Sequence, residues 1–214
     1  MTRFALGGVG VVALALAYAV SPALAQTEAA KPPPAGLAVA TFAAGCFWCT
    51  ESDFDKVEGV VSTTSGYTGG HKANATYYEV GTGRTGHTEG VRVVFDPSKV
   101  NYASLLDVYW RNVDPFDGRG QFCDKGSQYR PEIFVHDAEQ RKLAEASKAA
   151  VEAKLKRPVA VKVTPAATFY VAEDYHQDYY KKNPVRYKFY RYNCGRDARL
   201  EQVWGKSEPP SPTN

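Results

Sequence analysis

A short apolar run, Leu37-Ala38-Val39-Ala40-Thr41-Phe42, passes through the small turn Ala43-Ala44-Gly45 straight into Cys46. Beyond it Phe47, Thr50, Phe54 and Val57 recur at roughly helical spacing. This strand, turn and helix order is the most informative local feature of the chain. The run suits a buried strand, Gly45 lets the turn close tightly, and Gly59 stops the helix. Cys46 then stands at a helix N-terminus, where unpaired N–H groups and partial positive charge gather. A thiolate is stabilised there and its pKa lowered, so Cys46 is expected to be reactive rather than an inert core cysteine.

Val60 to Tyr67 reads as a second strand, His71 to Gly86 as a Gly-, Thr- and Asn-rich loop, and Thr88 to Phe95 as an alternating strand. Tyr102 to Val113 predicts an amphipathic helix with Leu105, Leu106, Tyr109 and Trp110 on one side. Asp114 to Gln128 reads as a loop and Ile133 to Val135 as a brief strand. Asp137 caps a long helix running to Lys156. Val159 to Val163 and Ala167 to Val171 read as strands. Ala172 to Lys182 reads as a helix ended by Asn183-Pro184, and Tyr187 to Trp204 as an irregular, aromatic, basic tail. No regular βαβ repeat appears, which predicts an α+β domain with a mixed sheet. The 214 residues suffice for one well-packed domain.

The first 25 residues stand apart. Arg3 is a short positive region, Phe4 to Val20 is apolar, Ser21-Pro22 breaks the helix, and Ala23-Leu24-Ala25 is a small-x-small cleavage site. This is the pattern of a secretory signal peptide cut after Ala25, which predicts an exported, periplasmic protein. A retained membrane anchor is the rival reading, since the apolar run is nearly long enough to span a bilayer. Residues 26–36, with Lys31 and three consecutive prolines, form a flexible lead-in. The catalytic domain is expected over 37–206, with its last segment at 185–206, and a disordered tail over 207–214. The chain has 26 basic and 23 acidic residues; losing Arg3 leaves 25 against 23, a net charge of +2. That balance argues against nucleic acid as the main partner.

Four cysteines, at 46, 49, 123 and 194, first suggest structural disulfides in an exported chain. Cys46 and Cys49, however, form C-x-x-C, whose sulfurs can meet on one helical turn. A c-type haem site would need His where Thr50 stands, and a zinc ribbon would need a second close pair, so metal is not expected. Phe47 and Trp48 could form an apolar slot beside the nucleophile. Glu89, in Gly86-His87-Thr88-Glu89, is the candidate general acid, because an apolar site keeps a carboxylic acid protonated. Two other functions compete. A thiol–disulfide oxidoreductase would use the C-x-x-C without Glu89, and a binding domain with two structural bridges would hold no free thiol.

Gly45-Cys46-Phe47-Trp48, Gly66-Tyr67-Thr68-Gly69-Gly70, Asn74 to Glu79, and Gly86-His87-Thr88-Glu89 together resemble the A-type peptide methionine sulfoxide reductases. Further matches are Gly126-Ser127-Gln128-Tyr129-Arg130, Ala172-Glu173-Asp174-Tyr175-His176-Gln177 and Lys182-Asn183-Pro184, so the likeness spans about Thr41 to Pro184. The resemblance implies a two-layer α/β sandwich around a mixed sheet with a ferredoxin-like core, and no cofactor. It implies that Cys46 attacks the sulfoxide sulfur and that Glu89 protonates the oxygen. Tyr77 and Tyr129 would polarise that oxygen, Asp124 would join the polar network, and Phe47 and Trp48 would hold the methyl group. Cys46 is left as a sulfenic acid, and a second cysteine condenses with it. Cys194, in the Gly/Arg-rich tail, is expected to resolve first, with Cys49 and Cys123 as further candidates. The expected partners are oxidised proteins or free methionine sulfoxide and a thioredoxin-type reductant, with the chain acting as a monomer.

Overall fold

The computed structural model describes residues 32–206. The leader over residues 1–25, most of the lead-in and the 207–214 tail therefore lie outside the described residues. In chain order the elements are β1 (Ala38–Ala43), α1 (Phe47–Phe54), β2 (Val60–Thr68), α2 (Tyr77–Gly81), β3 (Thr88–Phe95) and α3 (Tyr102–Arg111). There follow β4 (Gly120–Gln121), β5 (Asp124–Lys125), β6 (Glu132–Val135), α4 (Ala138–Leu155), β7 (Lys162–Pro165) and β8 (Tyr170–Val171). Three helices close the domain: α5 (Tyr179–Lys182), α6 (Pro184–Asn193) and α7 (Arg196–Trp204).

Six strands form one sheet in the order β7-β6-β1-β3-β2-β8. The central four, β6-β1-β3-β2, pair antiparallel, with α1 crossing from β1 to β2 and α3 lying between β3 and β6 in the chain. That is the ferredoxin-like arrangement. β7 adds in parallel to β6, which makes the sheet mixed, as expected. Helices α1, α3 and α4 pack on the sheet and on one another as the second layer.

The core sits between these layers. Ala40 and Phe42 of β1 face it with Val91 and Val93 of β3, all fully buried. The Phe42 ring stacks on Phe54, Tyr102 and Tyr109, so one strand residue ties α1 and α3 to the sheet. Burying a ring of that size contributes roughly 1.5–3 kcal/mol. The strand that leads into Cys46 is thus anchored to both layers.

Several elements depart from the sequence reading. The tail from Tyr187 to Trp204 is not irregular: it forms α6 and α7, broken by Gly195 at φ 68°. Asn183-Pro184 starts a helix rather than only ending one, because proline at the first helical position loses no hydrogen bond. Conversely, the helix expected over Ala172 to Lys182 shrinks to the single turn of α5. The preceding side chains are committed elsewhere: Tyr67 Oη donates to Glu173 at 2.7 Å, Trp48 Nε1 donates to His176 Nδ1 at 3.0 Å, and Gln177 bridges to Ser65. Tertiary hydrogen bonds have overridden local propensity. The strand expected over Val159 to Val163 is displaced toward higher numbers, as β7, and that expected over Ala167 to Val171 shortens to its last two residues, as β8. The loop over His71 to Gly86 contains α2, started by a reciprocal capping box between Thr76 and Glu79.

Candidate active site

The turn before α1 holds Gly45 at φ +85°, where a Cβ would lie 2.6 Å from Gln121 Cβ. Only glycine fits that close approach in that conformation. Cys46 therefore follows as the N-cap of α1, with no side-chain cap of its own. The unpaired N–H of Phe47 instead donates to Glu89 Oε2 at 2.9 Å. A carboxyl from β3 thus caps the helix that carries the thiol, and the two candidate reactive groups are fixed side by side.

Burial dominates the electrostatics. Cys46 is 6% exposed, Cys49 1% and Glu89 2%. Burial pushes Glu89 up to about 8, against the lowering effect of the Phe47 hydrogen bond, so the carboxyl is neutral at neutral pH. A neutral carboxyl is the protonation state that a general acid would need. The expectation of a lowered Cys46 pKa is corrected. Burial, then the hydrogen bond and charge of Cys49, then Glu89 push the Cys46 thiol well up. The positive end of α1 is already engaged by Glu89, and desolvation outweighs what remains. The hydrogen bond from Cys46 brings Cys49 down to about 7, with Arg196 and Arg191 adding to it.

Tyr77, at the start of α2, and Tyr129, in the 3-10 turn Ser127–Tyr129, hydrogen-bond each other and face Glu89 and Cys46. Burial pushes Tyr77 up to about 12 and Tyr129 up as well, so both phenols remain donors. Phe47 packs on Tyr67, Tyr77 and His176. Trp48 stacks on Tyr179 with centroids 3.7 Å apart and is held by its hydrogen bond to His176. Burial keeps His176 down to about 4, hence neutral. These rings gather an apolar cluster around Phe47 and Trp48, beside Cys46.

Asp124 of β5 reaches the same centre, and burial raises its pKa. Its partner was not foreseen: Tyr190 of α6 donates to Asp124 Oδ2, hydrogen-bonds Cys46 and meets Trp48 edge-on. Tyr187, Tyr190, Arg191 and Cys194 recur at the i, i+3, i+4, i+7 spacing of one helix face. That signal was present in the segment read as irregular.

The cysteines sort differently from the expectation for Cys194. Cys194 and Cys123 are joined in a disulfide, and Cys46 and Cys49 are free. The expected mobile resolving thiol is therefore cross-linked, and the rival reading with two structural bridges is excluded. Asp124 lies within 4.8 Å of both bridged sulfurs, but a disulfide offers a metal no thiolate. A cleft of about 590 Å³, lined by Arg111, Asn112, Arg191, Glu201 and Trp204 among others, shares only Arg191 with the groups named above and includes neither Cys46 nor Glu89.

The model of the family described as peptide methionine sulfoxide reductase matches residues 38–208. The chain is 50% identical over 194 residues to a peptide methionine sulfoxide reductase of Caulobacter vibrioides, covering 90% of this chain and 94% of that protein. It is 51% identical over 167 residues to a peptide methionine sulfoxide reductase of Listeria innocua, covering 77% of this chain and 94% of the relative. Among solved structures, methionine sulfoxide reductase A of Corynebacterium diphtheriae superposes with a TM-score of 0.64 at 34% identity, covering 76% of this chain and 81% of that one. Reduced Mxr1 from Saccharomyces cerevisiae gives 0.68 at 32%, covering 72% and 90%. Matches of this extent and identity establish that the chain belongs to the A-type peptide methionine sulfoxide reductases and is a thiol-dependent oxidoreductase.

Proposed function

We propose that the chain reduces the S epimer of methionine sulfoxide, in proteins and as the free amino acid, through a sulfenic acid on Cys46. The observation that carries this reading is Glu89: a buried carboxyl, neutral to about pH 8, that caps the helix of the nucleophile. Disulfide exchange needs no such acid; removing an oxygen does. Cys46 attacks the sulfoxide sulfur while Glu89, Tyr77 and Tyr129 hydrogen-bond the oxygen. The substrate sulfur gains two electrons and leaves as methionine, and the oxygen passes to Cys46 as S–OH. Phe47 and Trp48 seat the methyl group, and Asp124 belongs to the polar rim.

Cys49 is then the thiol that condenses with Cys46, releasing water and closing a disulfide. It is favoured over Cys194 because it is free and hydrogen-bonded to Cys46, whereas the Cys194 sulfur is occupied by Cys123. A thioredoxin-type dithiol opens the new bond. The enzyme acts as a monomer after export to the periplasm, a reading supported by the leader pattern of residues 1–25.

Reduction assays on separated epimers test the reaction. Turnover of the S epimer alone, lost in Cys46→Ser and strongly lowered in Glu89→Gln, is expected. Equal turnover of both epimers, or full activity without Cys46, would overturn it. Disulfide mapping after one equivalent of sulfoxide tests the recycling: a Cys46–Cys49 bond is expected, and a Cys46–Cys194 bond would restore the C-terminal route.

A further inference from the structure

Arg196, the first residue of α7, is 2% exposed, and burying a guanidinium is costly unless it is well paired. Its pairing is incomplete. Nη1 donates to Ala44 O at 3.2 Å, Nη2 donates to Asn112 O at 2.6 Å, and Nε is buried with no partner. The nearest carboxylate contact is Asp53 at 3.9 Å, and Phe122 covers one face at 4.5 Å. An apolar side chain would fill this space without the electrostatic cost. The charge therefore calls for a role that packing does not supply.

Its location supplies one. Ala44 lies two residues before Cys46, and Asp53 lies four residues after Cys49 on the same face of α1. The guanidinium thus spans the helix segment that carries Cys49. Arg191 of α6 engages the same Asp53 at 2.9 Å, so two cations converge on one carboxylate beside one thiol. The groups facing Cys49 are Cys46 and Asp53 from its own helix, Glu89 from β3, Tyr187 and Arg191 from α6, and Arg196 from α7.

We infer that Arg196, seconded by Arg191, is a positioning residue that holds the Cys49 sulfur, as its anion, against Cys46 for disulfide closure. The inference rests on Cys49 being the condensing thiol. In that step the Cys49 thiolate attacks the Cys46 sulfenic sulfur, the S–O bond breaks as the S–S bond forms, and the oxygen leaves as water with a proton from Glu89. The thiolate is oxidised and the sulfenic acid reduced. The lowered Cys49 pKa is consistent with this placement. The same segment bearing Cys194 and Gly195 delivers Arg196, so the C-terminal helices serve the reaction through charge.

The test titrates Cys49 by thiolate absorbance in Cys46→Ser protein, where it is the sole free thiol of the four cysteines. The midpoint is expected to rise by about one pH unit or more in Arg196→Met, with most of the shift restored in Arg196→Lys. Asp53→Asn is expected to move it the other way. A structural tether alone would leave the midpoint of the folded protein unmoved, and an unmoved midpoint overturns the inference. If Arg196→Met fails to fold by circular dichroism, Arg191→Met carries the same expectation and the same refutation. Absence of a Cys46–Cys49 bond in the wild-type mapping would instead sink the condensing-thiol reading, which the titration does not touch.

Discussion

Replacing Glu89 by Gln separates chemistry from stability in one variant. The carboxyl titrates near 8 in the folded chain instead of at its ordinary 4.5, and burial is the main cause. The folded state therefore holds a proton that the unfolded chain gives up between those two values. An acid whose folded pKa is raised contributes stability below about pH 4.5 and loses it as the pH climbs to about 8. At about 1.36 kcal/mol per tenfold, the loss across that window is on the order of 5 kcal/mol. Gln keeps an oxygen to accept from Phe47 N–H and has no proton to lose, so it escapes that loss. Urea denaturation of both proteins at several pH values measures the difference, which is expected to grow in favour of Gln from pH 4.5 to 8. The oxygen-removing step, followed by methionine release in a single turnover, is expected to fall by about 10²–10⁴-fold in the variant. Its wild-type rate is expected to decline above about pH 8, and the Gln rate to lack that decline. Parallel stability curves, or equal single-turnover rates, would refute the picture of a buried neutral acid.

Three further changes follow from the geometry. Tyr77→Phe and Tyr129→Phe should each slow the same step by about ten- to a hundredfold, as expected for one hydrogen bond to a developing charge; an unaffected rate would remove that phenol from the oxygen site. Opening the Cys123–Cys194 bridge by double substitution with Ser frees a loop of 71 residues of separation and should cost about 4 kcal/mol in urea unfolding, while an unchanged midpoint would mean the bridge constrains little. Gly45→Ala puts a Cβ 2.6 Å from Gln121 at φ +85° and should destabilise the fold by about 1–3 kcal/mol while displacing Cys46; wild-type stability would show that the turn relaxes freely.

What was legible in the sequence was local. The turn at Gly45, the helix after Cys46 and the strand bearing Glu89 are each written in a few adjacent residues, and the sheet builds on them. The family motifs named Tyr77 and Tyr129, and the resemblance pointed to Asp124. The rest depends on groups brought from far along the chain: Tyr190 to Asp124, His176 to Trp48, and Arg196 to the carbonyl of Ala44. Nothing in the residues around Arg196 says that its charge is buried beside a turn 152 residues away. The Cys46 pKa failed for a different reason. The helix end was visible, but the burial of the thiol, which outweighs it, is a product of the whole fold, and the carboxyl that occupies the helix end comes from β3.

The seat of Tyr190 has a thermodynamic consequence. Cys46 is only 6% exposed and hydrogen-bonded to that phenol, so a sulfoxide that needed Tyr190 to swing aside would meet a sulfur accessible in only a fraction of molecules. Affinity measured from solution is then the intrinsic affinity of the open pocket diluted by the fraction of molecules that are open. A ligand that gave Asp124 a replacement donor would recover part of that loss, and the resting enzyme would then discriminate before any chemistry began. The same closure keeps bulk oxidants from a sulfur that has to stop at the first rung of oxidation to be recycled.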